Sequence, residues 1–359
     1  MSKNILELCL AHGLGGLEMF VAHCHKEFSK KGVCRVVVAP NTKLDNYLSD
    51  IDHFQIQRSK FFPLGPALKL AKYIDNNKID IIHFHWTKDS ITAVLAKLLS
   101  KRKPKLVQSR HMRMTRFKDD FYHRWLYKNI DMIHAVTKDV AMQLERFIPK
   151  EILPKIEMIY LGVTPPDLKR QRVEQLREEY ALEESFVVGI VGRIEEEKGQ
   201  YKVIEAIAKL QELPIKALIV GSAMSDEYLQ KLKLKVKELA IEDRVIFTGF
   251  TQDVNEHMAL SDTVVLATEN ETFGLVVIEA MANKKVVIAT AKGGPLEIIE
   301  HGVDGLLFDG SVEDLSEKIK FLYNNREEKM RIEQNALNKV EKKFDEVTQL
   351  EKLYTKLIA

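Results

Sequence analysis

The run Ile5-Leu-Glu-Leu-Cys-Leu-Ala-His-Gly-Leu-Gly-Gly-Leu-Glu18 passes from a short apolar stretch through a cluster of glycines into a segment with helical spacing. A parallel strand covered on both faces reads this way when it turns abruptly into a helix, because glycines release the backbone at the turn. Val36–Ala39, Ile79–Phe84, Leu106–Ser109 and Met132–Val136 repeat the rhythm, each followed by a helical pattern. The series restarts at Phe186–Val191 and runs through Ala217–Val220, Val245–Phe247, Thr263–Leu266, Val286–Ala289 and Leu306–Phe308. Such alternation specifies βαβ units. Between the two series, Pro165 and Pro166 remove backbone donors and bar helix, which marks a connector.

The expected fold is therefore α/β, with two doubly wound Rossmann-like domains facing each other across a cleft at the carboxyl ends of their strands. Residues 1–163 form the first domain and 164–340 the second. Residues 341–359 end in a helix with Leu350, Leu353, Tyr354 and Leu357 on one apolar face, expected to pack back toward the first domain.

Composition agrees with two cores: 359 residues, 45% hydrophobic, with no Pro/Gly/Ser-rich tract. A formal net charge of +2 gives no global field for a nucleic-acid partner. Cys9, Cys24 and Cys34 are odd in number and lack C-x-x-C spacing, which speaks against a disulfide framework or a zinc knuckle. Lys3, Glu7 and His12 interrupt what would be a leader peptide, and no run nears the ~20 apolar residues of a membrane span. The expected location is cytoplasmic, at most peripheral on the inner face of the cell membrane.

A dinucleotide fingerprint read from Gly13 needs glycine where Glu18 stands, and the strand ending at Ala39 is followed by Pro40-Asn41 instead of a ribose-binding acid. NAD binding is thereby disfavoured. In the second half, Gly192-Arg193 and Lys198-Gly199 follow a buried strand, where a guanidinium and an ammonium can clamp a phosphate. The strand Thr263–Leu266 leads through Glu271-Thr-Phe-Gly274 into an apolar helix that carries Glu279. A carboxylate embedded among Val276, Val277, Ile278, Ala280 and Met281 costs several kcal/mol unless donors meet it, and a ligand's hydroxyls are one source of donors, a buried salt bridge another.

Gly15-Gly-Leu-Glu18, the Gly192-Arg193 to Lys198-Gly199 pair, the E-x7-E element from Glu271 to Glu279, Gly293-Gly-Pro-Leu-Glu297 and the closing helix together resemble family four of the retaining glycosyltransferases, over essentially the full chain. The resemblance implies the GT-B fold and transfer of a hexosyl or N-acetylhexosaminyl group from a nucleotide-sugar, with UDP the commoner base. It implies that Arg193 and Lys198 hold the donor diphosphate together with amides around Phe273, Gly274 and Leu275, and that Gly15 and Gly16 line the donor site. Glu279 would take the ribose hydroxyls and Glu271 the sugar hydroxyls. His111, directly after a strand, would be catalytic with Glu271. Glu18, His85, Arg110, Arg113 and Arg116 fall on the acceptor side. One departure concerns the Gly293 loop, where proline stands one place earlier than in many relatives.

Cations and amides that stabilise a leaving diphosphate make a metal or other cofactor unnecessary. Asp50-Ile-Asp52 matches a metal-binding D-x-D only in letters, and His83 and His85 lack a third ligand at a recognisable spacing. Two other functions share the architecture: a nucleotide-sugar epimerase, which needs further acid–base groups, and a non-catalytic nucleotide-sugar binder.

From Lys101 to Lys128 ten Lys/Arg residues face two acids, with Phe117, Phe121 and Trp125 at four-residue spacing. This reads either as a core-packed helix with a solvated face or as a surface for anionic membrane and a glycan or glycolipid acceptor, of lipopolysaccharide or other cell-surface type.

Overall fold

Ile5–Cys9 (β1) is buried at every position, which only a central strand covered on both faces permits. The computed structural model describes residues 3–59 and 62–359. Around β1 it places Cys34–Val38 (β2), Phe54–Gln55 (β3), Ile81–Phe84 (β4), Lys105–Arg110 (β5), Met132–Ala135 (β6) and Lys155–Met158 (β7). They form one parallel sheet in the order β3-β2-β1-β4-β5-β6-β7. Its two edge strands escape the apolar-run criterion: β3 has two residues, and β7 reads Lys-Ile-Glu-Met, half-exposed along its length.

Phe186–Val191 (β8), Ile215–Val220 (β9), Val245–Gly249 (β10), Thr263–Leu266 (β11), Val286–Thr290 (β12) and Leu306–Phe308 (β13) build a second parallel sheet in the order β10-β9-β8-β11-β12-β13. Its core includes Ile190, Val203, Ile207, Ile219, Ile288 and Phe308. In each sheet the strand order reverses once, between β1 and β4 and between β8 and β11. The connections leave in opposite directions there, so the carboxyl ends of these strands open a crevice in each unit.

The chain divides into a first unit, Met1–Leu161 with Val347–Ala359, and a second, Gly162–Glu346. Entry to and exit from the second unit run side by side: Val163 N–H donates to Phe344 O at 2.9 Å and Glu346 N–H to Val163 O at 3.3 Å. The closing helix, Glu346–Ile358, buries Gln349, Leu350, Leu353, Tyr354 and Leu357. Within the first unit Tyr354 lies 5.4 Å from the Phe28 ring, and Lys31 pairs with Glu351 at 2.5 Å. Lys105 Nζ donates to the carbonyls of Lys356 and Leu357 at 3.1 and 2.9 Å, satisfying orphan acceptors of the last turn. Among the described residues, no helix is long and apolar enough to cross a membrane.

Leu357 is fully buried, so Leu357→Ala combines a transfer loss with a cavity. Urea denaturation should show a loss of about 2–5 kcal/mol; a change within about 0.5 kcal/mol, the range of ordinary surface substitutions, would mean the helix does not hold the first unit together.

Candidate functional site

In the second unit the site is built from the loops that follow β8, β11 and β12. After β8 the chain passes through Gly192 and Arg193 into a short 3-10 turn, Glu196–Lys198, which delivers Lys198 toward the loop after β11. Lys198 Nζ lies 3.1 Å from Glu271 Oε2, so the two residues assigned separately from sequence form one half-buried ion pair. Glu269, two residues earlier, is shared by Lys202 at 3.2 Å and Lys292 at 3.0 Å. Those two lysines, Lys292 first, hold its carboxyl below the usual range. Arg193 is largely exposed and pairs with Glu195 at 3.0 Å.

The loops after β11 and β12 meet backbone to backbone. Gly294 N–H donates to Glu271 O at 3.0 Å. A Cβ on Gly293 would fall 2.4 Å from Glu271 O, and one on Gly294 2.2 Å from Phe273 O, so no side chain fits at either place. The shifted proline, Pro295, opens a short helical turn, Pro295–Ile298, where a missing N–H costs nothing.

Phe273 is buried, its ring 6.0 Å from that of Phe344. Gly274, at φ +97°, heads the helix Leu275–Ala282 with no side-chain cap. Glu279 is not embedded as the apolar sequence suggests. Helical periodicity sets it with Leu275 and Val276 on a half-buried face, while Val277, Ile278, Ala280, Met281 and Ala282 turn inward. The burial penalty argued from its neighbours is correspondingly smaller.

In the first unit the carboxyl end of the sheet gathers a histidine network around Glu7. Parallel register sets Glu7 beside His83, and Ser109 beside His134. The direction of the hydrogen bonds follows from one end. Ile159 O can only accept, so His134 Nε2 donates to it at 2.7 Å. Burial holds His134 neutral, down to about 3, so its Nδ1 accepts from Ser109 Oγ at 2.7 Å. Ser109, its proton committed, accepts from His83 Nε2 at 2.7 Å. His83 Nδ1 lies 2.9 Å from Glu7 Oε2. His85 Nε2 donates to the same oxygen at 2.6 Å. Burial opposes a charge on Glu7, but the charges and hydrogen bonds of His83 and His85 win and lower it to about 2.

His85 is thus fixed in the Nε2–H tautomer, with Nδ1 enclosed and unpartnered. His111 is half-buried; its Nε2 is also enclosed and unpartnered, and burial, then the neighbouring histidines, hold it neutral. Phe20 covers both rings, 5.7 Å from His85 and 5.2 Å from His111.

Cys24 Sγ joins Glu7 and His83 in a group whose ligand atoms lie within 4.8 Å of one another. The fold therefore supplies partners for His83 that linear spacing did not announce. The Glu7–His83 separation is nevertheless that of a hydrogen bond, with a proton where a cation would sit. Asp50 and Asp52 lie exposed in a turn, and Asp52 pairs with Arg35 at 3.3 Å.

Two family models match the chain: "Glycosyl transferases group 1" over residues 172–339 and "Glycosyltransferase Family 4" over residues 14–165. N-acetyl-alpha-D-glucosaminyl L-malate synthase of Bacillus anthracis is 30% identical over 265 residues, 72% of this chain and 68% of that protein. The chain belongs to glycosyltransferase family 4. The putative glycosyltransferase EpsD of Bacillus subtilis (strain 168) is 29% identical over 318 residues, 81% of each chain. Among solved structures, Anabaena Alr3699/HepE in complex with UDP and glucose superposes with a TM-score of 0.86 at 24% identity over 100% of both chains, a likeness of fold.

Other assigned residues of this family 4 chain fall as follows. Glu18 caps its own helix, its Oε2 accepting Gly15 N–H at 2.9 Å, and so occupies an amide that a phosphate would use. Arg110 turns inward, while Arg113 pairs with Asp139 at 3.5 Å and Arg116 is exposed, so the three arginines do not act as one patch. The helix expected to carry Phe117, Phe121 and Trp125 begins only at Phe121, capped by Asp120. Phe117 and Phe121 are 67% and 89% exposed and Trp125 is half-buried, which rules out the core-packed reading for the first two. Lys202, Lys292, Glu269, Ser109 and His134 were not singled out by sequence, since none lies in a recognisable motif.

The histidine network makes stability pH-dependent with a definite sign. His85 and His134 fall from an ordinary 6.5 to about 4 and about 3, first because burial disfavours their charge, so the unfolded chain takes up protons before the folded one. Their contribution is complete above pH 6.5 and is lost as pH falls toward those values; Glu7 adds a second loss below its ordinary 4.5, toward about 2. Urea midpoints should drop by the equivalent of at least about 1.4 kcal/mol per pH unit, one proton's worth, on the way from pH 6 to pH 5. A flat profile over that interval would contradict the network described.

Proposed function

We propose that this family 4 transferase moves a hexosyl or N-acetylhexosaminyl group, with retention of configuration, from a UDP-sugar to a hydroxyl of a cell-surface glycan, lipopolysaccharide-type or lipid-linked acceptor. The observation that carries the donor half is the contact of Lys198 with Glu271 beside the uncapped helix at Gly274. Cleaving a sugar–phosphate bond builds charge on the leaving diphosphate. In this reading Lys198, Arg193 and the amides of Gly274 and Leu275 stabilise that charge more in the transition state than before it. Glu271, freed when a diphosphate takes Lys198, receives sugar hydroxyls, and Glu279 on its half-buried face receives the ribose. UDP and glucose in the HepE complex support the choice of donor. In this reading His111 keeps its catalytic role and His85 lies on the acceptor side, both as neutral imidazoles. These groups need no metal, and no cofactor enters the reading.

Nucleotide release from UDP-, GDP- and ADP-sugars, followed with and without EDTA and acceptors, tests this directly. Glu279→Gln should weaken UDP binding about tenfold, the worth of one charge-assisted hydrogen bond, whereas Glu271→Gln should lower kcat by a similar factor and leave UDP binding nearly intact. Negligible effects from both would remove the mechanism, and loss of release with EDTA would remove its metal-free form.

Peripheral contact with an anionic membrane from the cytoplasmic side completes the proposal. It rests on Phe117 and Phe121 standing exposed among Arg116, Lys118 and Lys128. The protein should sediment with vesicles containing phosphatidylserine at low salt, and Phe121→Ser should reduce the bound fraction several-fold; equal sedimentation of variant and wild type, or none of either, would discard the contact.

A further inference from the structure

Among the described residues, three cations with no carboxylate partner converge at the carboxyl ends of β3, β4 and β5, beside the reversal point of the first sheet. Trp86, two residues beyond β4, is half-buried; Arg58 Cζ stands 4.8 Å and Lys88 Nζ 5.0 Å from its ring centroid. Arg110, the last residue of β5, is only 6% exposed. Its guanidinium reaches neutral acceptors alone: Met112 O at 2.8 Å from Nε, Thr87 Oγ1 at 3.2 Å from Nη1 and Arg113 O at 3.2 Å from Nη2. Among the described residues, none of the three has a carboxylate oxygen within 4.0 Å.

Neither acid packed nearby among the described residues neutralises them: Glu7 is held by His83 and His85, and Asp89 is engaged elsewhere. Asp89 is fully buried and spends one oxygen on Leu10 N–H at 2.8 Å. Burial pushes its carboxyl up to about 7, against the pull of that hydrogen bond and of Arg58. Attraction to the indole face accounts for where Arg58 and Lys88 rest, but it offers nothing to Arg110, a buried guanidinium held without a counter-charge. Positive charge concentrated at a topological switch point, on the ends of three strands, is the arrangement that receives an anionic ligand group.

We infer that Arg58, Lys88 and Arg110, arranged around Trp86 and Thr87, form an anion subsite that takes a carboxylate or phosphate group of the acceptor. This rests on the reading of the first unit as the acceptor side of a transferase. The guanidinium of Arg58 offers two parallel donors to a planar or tetrahedral oxyanion, Lys88 adds a mobile point charge, and Arg110 fixes Thr87 and supplies a buried background of positive potential. An acceptor carrying such a group would be anchored by its charge and not by its hydroxyls alone.

The protein has two tryptophans, Trp86 and Trp125, so Trp125→Phe leaves Trp86 as the only indole reporter. In that background, emission is followed during titration with L-malate and with inorganic phosphate, against sodium chloride at matched ionic strength and glycerol as a neutral control. The expected result is a saturable change with malate or phosphate and none with chloride or glycerol. The midpoint should rise at least about fivefold in Arg58→Ala and in Lys88→Ala, the cost of one partly exposed charge contact. Which anion saturates at lower concentration distinguishes a carboxylate from a phosphate acceptor.

Circular dichroism and thermal unfolding establish that each variant is folded. No saturable response to either anion, or equal midpoints in folded variants and parent, overturns the subsite. UDP-induced thermal stabilisation of the parent protein is measured in parallel. Stabilisation by UDP without an anion response removes this subsite alone, whereas an anion response without stabilisation by UDP keeps the subsite and removes UDP as the donor nucleotide.

Discussion

Burying Glu7 in the central strand of the first sheet obliges its neighbours to bring protons, and that single requirement orders the side chains at the sheet's carboxyl end. Two histidines donate to it, and the chain of donors and acceptors beyond His83 has a direction because it ends on the carbonyl of Ile159. Removing one member would leave a charge or a lone pair stranded in low dielectric, a loss of about 3–5 kcal/mol for a broken buried pair. The network therefore sets ring orientation and tautomer at His85, one residue beyond β4. That precision arises from strand register and not from any local loop motif.

The second unit reaches comparable rigidity by a different device. There the loops after β11 and β12 approach so closely that Gly293 and Gly294 pack on the carbonyls of Glu271 and Phe273. Backbone contact fixes Glu271, Glu271 fixes Lys198, and Phe273 is anchored on Phe344. The backbone frame is thereby set before a ligand arrives, and only the side-chain pair of Lys198 with Glu271 has to open for an incoming anion.

How much of this was legible in the sequence depended on whether the signal was local. Strands buried on both faces announce themselves as apolar runs, so the nine inner strands were readable, as were the apolar edges β10 and β13, while β3 and β7, short or polar edges, were not. Lys198 and Glu271 were readable as residue types beside strand ends, yet their pairing across 73 positions was not. Glu279 shows the opposite failure: its sequence neighbours are apolar, but a helix distributes neighbours around its axis, and this carboxylate falls on the half-buried side. The contacts of Glu7 with His83 and of Trp86 with Arg58 depend on which strands the topology makes adjacent, information that no single window of sequence contains.

The two units also treat their cations differently, and the difference bears on what each can bind. In the second unit Arg193, Lys198, Lys202 and Lys292 all have carboxylate partners, so an incoming anion must displace an acid to reach them. Such a site discriminates by charge, since a weakly anionic group gains too little to offset the pairs it breaks, whereas a diphosphate contacts several cations and helix amides at once. Around Trp86, among the described residues, no acid would have to leave for a singly charged group to meet Arg58 and Lys88. Displacement favours selectivity for a highly charged donor, and open positive potential favours capture of a modestly charged acceptor. If the first unit takes an anion-bearing acceptor, as proposed, the two arrangements divide the work between a highly charged donor and a modestly charged acceptor.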